Sequence, residues 1–322
     1  MSDQIGVREV EHQTVVNAPA ETVYRLVADV ERWPRIFPPS VHAEYVEKGA
    51  ARGSGDEVIR LWAVANGEPK TWTSRRRLDA DALRVDFRQE VPARPVAAMG
   101  GAWLVERLSD RESRVRLLHD YRAVDDDPGS LQLIDTAVDR NSGSELAAIK
   151  DAAEAGTGAA GTFLTFEDTV TVDGPGRLVY DFLNEADQWT ERLPHVAGIV
   201  LTEDSPGLQT LEMDTRAEDG SVHTTKSVRV CFPHDRIVYK QLRVPPLLTL
   251  HTGVWTVEEE PGRPTVVRSL HTVRVNEANI EAVLGAGADL DKAKSMVRSS
   301  IGGNSVATLN RAKRFAESGG RG

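Results

Sequence analysis

The feature that most constrains this chain is that one pattern occurs in it twice. The segment VYRLVADVERWPRIFP (23–38) returns as VYDFLNEADQWTERLP (179–194), which sets Trp33 on Trp189 and Pro38 on Pro194, 156 residues later. Ser74 and Arg76 in TWTSRRRL meet Ser227 and Arg229 in TTKSVRVC after 153 residues. Trp103 meets Trp255 and His119 meets His271 after 152, and Asn141-Ser142 with Leu146 meet Asn304-Ser305 with Leu309 after 163. Anchors that keep their order while the offset drifts slowly indicate a tandem duplication of a unit of about 150 residues. A unit that long buries its own core, unlike a short solenoid repeat. The expected division is 1–154 for the first copy, a small Gly/Ala-rich linker at 155–161, and 162–322 for the second.

Each copy has the same coarse order. An alternating strand (REVEHQTVVN; TFLTFEDTVTVD) opens it, and in the first copy Asn17 as N-cap, Pro19 just inside and Glu21 in the first turn predict a short helix. A stretch with Trp and Pro follows, then about six strands with turns at intervals of roughly 8–12 residues. A long helix closes each copy, LQLIDTAVDRNSGSELAAIKDAAE in the first and a longer segment in the second. Strands and helices segregated in this way indicate α+β rather than alternating α/β.

Composition removes several function classes. No apolar run approaches the roughly 20 residues of a membrane span, and the start MSDQIGVREVEHQ lacks the features of a signal peptide, so a cytoplasmic protein is expected. A single Cys231 excludes an internal disulfide and a thiolate-rich zinc site. With 39 basic and 49 acidic residues the net charge is −10, which argues against a nucleic-acid surface. Gly156-x-Gly158-x-x-Gly161 matches the dinucleotide fingerprint by letter, but it follows a helix and precedes a strand, the reverse of the required context.

The chemistry-bearing residues sit at repeated places. Strand alternation puts Trp72, Ser74 and Arg76 on one face and Thr73, Arg75 and Arg77 on the other. A face of Trp, Ser and Arg suits a polar-dotted interior better than water, and the second copy repeats it with Thr225, Ser227 and Arg229. The opposite parity would turn Thr73, Arg75 and Arg77, or Lys226 and Val228, inward. His119 and His271 occupy matching late strands, and His195 follows Leu193-Pro194 near the expected mouth of the second copy. Trp33 and Trp189 read as structural plugs. Arg75 and Arg77, split from Arg76 by the alternation, face either solvent or an acidic partner.

This order, with Trp33-Pro34-Arg35-Ile36-Phe37, Trp72-x-Ser74-x-Arg76, Trp103 and Asn141-Ser142 in the first copy and Trp189, Leu193-Pro194, Ser227-x-Arg229, Trp255 and Asn304-Ser305 in the second, resembles the helix-grip fold of the START and Bet v 1 superfamily. More specifically, the duplicated chain resembles a di-domain aromatase/cyclase of bacterial type II polyketide synthases. The resemblance implies a curved antiparallel sheet around each long helix, with a pocket between them. It also implies a linear poly-β-ketone tethered to an acyl carrier protein as substrate, the carrier protein and other synthase components as partners, and neither a metal nor a redox cofactor. First-ring closure with C7–C12 regiochemistry follows from the same resemblance, on a chain whose C9 ketone is reduced in many members.

Aldol closure and dehydration need fixed hydrogen-bond donors and a group that titrates near neutrality. Arg76, Ser74 and His119, with Arg229, Ser227 and His271, are therefore the expected catalytic set, and Trp72, Trp103, Trp255 and Phe37 the expected substrate walls. The rival expectation is a non-catalytic carrier or sensor, since the same fold binds hydrophobic ligands without turning them over.

Overall fold

The computed structural model describes residues 7–49, 54–65, 67–155, 161–216, 220 and 222–320. Most of the 155–161 segment, including Gly156 and Gly158, lies outside the described residues. The chain forms two compact units, 1–157 and 158–322.

In the first unit, β1 (Arg8–Val16) leads to α1 (Ala20–Ala28) and the one-turn α2 (Trp33–Ile36). Six strands follow, β2 (Ser40–Glu47), β3 (Gly55–Ala65), β4 (Glu68–Asp79), β5 (Arg84–Gln89), β6 (Val96–Ser109) and β7 (Glu112–Ala123), and then α3 (Pro128–Glu154). The seven strands make one sheet in the order β1-β7-β6-β5-β4-β3-β2. Successive strands pair antiparallel from β2 to β7, and β1 closes against β7.

The second unit repeats this with β8 (Phe163–Val172), α4 (Gly176–Asn184), α5 (Trp189–Arg192), β9 (Val196–Ser205), β10 (Leu208–Arg216), β11 (Val222–Phe232), β12 (Arg236–Arg243), β13 (Leu248–Glu258) and β14 (Thr265–Val275). Its sheet order, β8-β14-β13-β12-β11-β10-β9, is the same. The extra residues of this copy form α6 (Ile280–Leu284) ahead of the long α7 (Leu290–Glu317). These are two helix-grip domains of the α+β class.

The sheets turn their inward parity onto the long helices. On β4, Ser74, Arg76 and Leu78 are buried while Arg75, Arg77 and Asp79 are exposed, as the alternation predicts. The buried stripe of α3 runs Ile134, Val138, Ser142, Leu146, Ile149 and Ala153, at intervals of one helical turn. Both long helices begin on an aspartate cap: Asp127 accepts from the Ser130 amide at 2.7 Å and Asp289 from the Lys292 amide at 2.8 Å. The start of α1 differs from the expectation. Pro19 occupies its N-cap position and no side chain caps it, because Asn17 is held elsewhere. The Asn17 backbone N–H and side-chain amide both donate to Glu154, at 2.7 and 3.0 Å, tying β1 to the end of α3.

The end of α1 is closed by a side chain from the middle of the sheet. The last carbonyls of a helix have no intrahelical donor. Here Arg76 donates to Val27 O at 2.9 Å and to Ala28 O at 3.3 Å, while the Trp33 indole donates to Val27 O at 3.2 Å. The guanidinium lies 5.1 Å from the Trp33 ring centre. In the second unit Arg229 donates to Leu183 O, Trp189 to Phe182 O at 3.0 Å, and the guanidinium sits 5.3 Å over Trp189. Both arginines are only 1% exposed.

The two copies compensate that charge differently. Across the β3–β4 ladder Arg76 faces Glu57, whose carboxylate is 3.0 Å away. Across the matching β10–β11 ladder Arg229 faces the neutral Gln209. Removing one member of a buried ion pair leaves the other charge uncompensated, at a cost of about 3–5 kcal/mol. Arg76→Met is therefore expected to destabilise its domain by that amount, and Arg229→Met by less, since only the former strands a buried carboxylate. Equal losses in urea unfolding would refute this assignment.

Candidate active site

The first domain brings its polar inward side chains together beneath α3. His119, on β7, is half-buried, with its Nδ1 3.5 Å from the Ser142 hydroxyl of the helix and its ring edge-on to Phe87 at 5.5 Å. Phe87 pairs across the ladder with Gly101. A Cβ at Gly101 would run into Phe87 and the Leu118 carbonyl, so the glycine is what lets the ring lie over its strand. Burial pushes His119 down to about 4, which keeps the imidazole neutral at pH 7.

One turn beyond Ser142, Glu145 stands in the apolar stripe between Ser142 and Ile149. The residue is half-buried and its carboxyl is desolvated. No cation offsets the burial, and desolvation pushes the acid up to about 7. The sequence reading missed this residue. A carboxylate at a stripe position, spaced one turn from Val138-Ser142 and Ile149, was the available signal.

In the second domain the matching histidine sits in a network of polar side chains. His271 is 3% exposed, and its ring stacks 5.0 Å from Phe166. Its Nδ1 lies 3.0 Å from the Tyr239 hydroxyl and 3.1 Å from His251 Nε2, and its Nε2 lies 2.9 Å from the Ser269 hydroxyl. Ser305 in turn donates to Ser269 at 2.7 Å. Burial drives His251 down to about 3 and His271 to about 4, each favouring the neutral ring. Register and offset match Tyr239 to Phe87, His251 to Met99, and Thr308 to Glu145. Thr308 bonds back to Asn304 O at 2.9 Å, so this domain has no acid at that place.

Several expected site residues have other engagements. Arg76 and Arg229 point inward, but their guanidiniums close helix ends and are not presented to a ligand. Ser74 donates to Arg88 O at 3.2 Å, and Ser227 is buried with it in register across the two copies. Phe37, 3% exposed, is packed between Trp33 at 5.4 Å and Trp103 at 6.1 Å, and Trp103 itself is core at 5%. Trp255 is likewise buried, edge-on to Trp189 at 5.9 Å and 5.2 Å from Tyr239. Three bulky rings expected as pocket walls thus belong to the cores, because they meet the first helix of each unit. Half-buried Trp72, Tyr45 and Phe87 remain as the inward aromatic surface of the first domain.

A cleft of about 670 Å³ is lined mainly by the opposite parity of the first sheet, including Arg75, Arg77, Arg88, Asp86 and Asp120. Arg76, Phe87 and His119 of the inward parity also border it, whereas Glu145 does not. Arg75–Glu90 at 2.8 Å and Arg88–Asp120 at 2.7 Å neutralise much of its charge. No group of three or more His, Cys, Asp or Glu side chains among the described residues is arranged to hold a metal ion. No helix among them is long and apolar enough to cross a membrane.

Known proteins share this architecture over the whole chain. Residues 16–130 match the family described as polyketide cyclase / dehydrase and lipid transport. The granaticin polyketide synthase bifunctional cyclase/dehydratase of Streptomyces virginiae is 49% identical over 301 residues, covering 93% of this chain and 97% of that protein. The actinorhodin polyketide synthase bifunctional cyclase/dehydratase of Streptomyces coelicolor is 43% identical, covering 95% and 96%. Among solved structures, the di-domain ARO/CYC BexL from the BE-7585A biosynthetic pathway superposes with a TM-score of 0.87 at 57% identity, over 96% of this chain and 99% of that one. The di-domain ARO/CYC StfQ from the steffimycin biosynthetic pathway gives 0.84 at 37% identity, over 96% and 98%. With the duplicated helix-grip frame and relatives matched nearly end to end, the chain belongs to the bifunctional cyclase/dehydratases of type II polyketide synthases, the di-domain aromatase/cyclases.

Proposed function

We propose that the N-terminal domain performs the chemistry, closing the first ring of a carrier-protein-bound poly-β-ketone between C7 and C12 and dehydrating it to the aromatic ring. The observation that carries this reading is the contrast between copies. In the first domain Glu145 is a desolvated acid and His119 has Ser142 beside one ring nitrogen, whereas Tyr239, His251 and Ser269 lie against both ring nitrogens of His271 in the second.

The residues divide the work as follows. A methylene between two ketones is acidified by both, and the Glu145 carboxylate takes its proton. The resulting enolate carbon attacks the C7 carbonyl; the C–C bond forms and the carbonyl becomes an alkoxide, which receives the proton back from Glu145. Dehydration repeats the cycle. Glu145 removes the second proton of that carbon and returns it to the departing hydroxyl, so that one water leaves and the double bond forms. A carboxyl near pH 7 serves both directions. His119 is neutral with the Ser142 hydroxyl beside its Nδ1, and in the tautomer where Ser142 donates the imidazole proton sits on Nε2, where it stabilises the alkoxide. Trp72, Tyr45 and Phe87 supply flat apolar surface for the folded chain. Arg76 acts as a positioning residue, holding α1 and Trp33 over the sheet.

Product analysis of a reconstituted synthase, run with and without its ketoreductase, tests the assignment. Glu145→Gln is expected to lower formation of the aromatic first ring by about 10²–10³-fold, within the range of lost acid–base catalysis. His271→Gln is expected to spare the turnover of folded enzyme. Loss of cyclisation in the His271 variant with Glu145→Gln active would move the chemistry to the C-terminal domain, and an unchanged product profile for wild type would favour a carrier role.

A second outcome concerns stability. The folded protein holds the Glu145 proton up to about 7, above the ordinary carboxyl value of 4.5. This contribution is fully present below pH 4.5 and is lost as pH rises through 7. Glu145→Gln should therefore raise the Tm at pH 8 and change it little at pH 4.5, which a thermal-melt pH series would read directly.

A further inference from the structure

At the far end of α7 the C-terminal domain has a cleft of about 290 Å³, lined by Leu193, Pro194 and His195 of the α5–β9 connection and by Ala307, Asn310, Arg311 and Arg314 of the helix. Positions 307, 310, 311 and 314 fall on one helix face. Arg311 and Arg314 therefore stand side by side, a like-charge spacing that is unfavourable in itself. Both are exposed, and neither has an ion-pair or hydrogen-bond partner among the described residues. Their neighbour Lys313 behaves differently, donating to Thr171 O at 2.7 Å and pairing with Glu317 at 3.6 Å. The helix dipole accounts for a cation in the last turn, where Arg314 lies, but fades before Arg311. His195 completes the rim, and burial pushes its pKa down, so the cleft is partly withdrawn from water.

The duplication supplies an internal comparison. The positions that match Ala307, Asn310, Arg311 and Arg314 in the first domain are Ser144, Ala147, Ala148 and Asp151, and Pro39 stands for His195. At these matched positions only the second copy carries arginines.

We propose that this cleft binds a phosphate ester, and that its occupant is the phosphodiester through which a carrier protein holds its pantetheine arm. The proposal rests on the reading that substrate arrives tethered to such a carrier. Adjacent guanidiniums engage phosphate oxygens through paired, charge-assisted hydrogen bonds, Asn310 and His195 add neutral donors, and Leu193 and Pro194 offer apolar surface to the arm. On a chain of net charge −10, a local patch of unpaired arginines also gives an acidic carrier one preferred approach.

The test compares binding of the full-length protein to a carrier protein with and without its pantetheine arm, by fluorescence anisotropy. A separate titration uses pantetheine 4′-phosphate alone. The armed carrier is expected to bind about tenfold more tightly than the unarmed one, and Arg311→Gln with Arg314→Gln is expected to abolish the difference. Because both side chains are exposed, the double variant should keep the wild-type Tm. It should also keep wild-type cyclisation of a polyketide offered as a simple thioester without phosphate. Equal affinity of wild type for both carrier forms, or a difference that survives the double substitution, would overturn the proposal. Failure of wild type to cyclise the simple thioester would instead count against the catalytic reading, leaving the phosphate titration to decide this one.

Discussion

Each domain depends on a buried arginine that joins a helix end to the middle of the sheet. Arg76 and Arg229 satisfy carbonyls that α1 and α4 cannot satisfy themselves, and each rests on a tryptophan that donates to a carbonyl of the same helix. Taking such a charge out of water costs several kcal/mol, so the contact persists only where helix carbonyls, an aromatic face and, in one copy, Glu57 receive it together. Fixing that helix end fixes where Phe37, Trp103 and Trp255 pack against it.

On this shared frame the interiors have diverged through a few exchanges of polar and bulky groups. Phe87, Met99 and Glu145 in the first copy stand where Tyr239, His251 and Thr308 stand in the second. The added hydroxyl and imidazole give His271 partners on all sides, and buried polar atoms satisfied in this way rigidify a core. The first copy lacks them, and a carboxyl left without a cation in the same region shifts toward neutrality. Histidine at this position thus has different surroundings in the two copies: Ser142 and Phe87 in the first, and the hub of a packed polar network in the second.

The same logic applies at the surface. Basic side chains of the outer sheet face are largely consumed by neighbouring carboxylates, as in Arg75–Glu90, Arg88–Asp120 and Arg268–Glu167. The pair on α7 is not, and the first copy has no counterpart to it. A duplicated protein allows each such feature to be judged against its twin, which separates what the frame requires from what one domain has acquired.

The sequence by itself determined the duplication, the α+β order of elements and the inward parity of Ser74, Arg76, Ser227 and Arg229, because these depend on repeats and on strand alternation, which are local. The role of those inward residues was not legible. Whether a buried guanidinium meets a ligand or a helix carbonyl depends on where a segment some 48 residues away ends its helix. Nor did the chain show that Asn17 would serve Glu154 instead of capping α1, since that partner lies 137 residues on. Glu145 carried a faint signal in the stripe of α3, but its chemistry rests on desolvation and on the absence of a nearby cation among the described residues. Only tertiary packing decides those, because desolvation is a property of everything that surrounds a group and not of its neighbours in sequence.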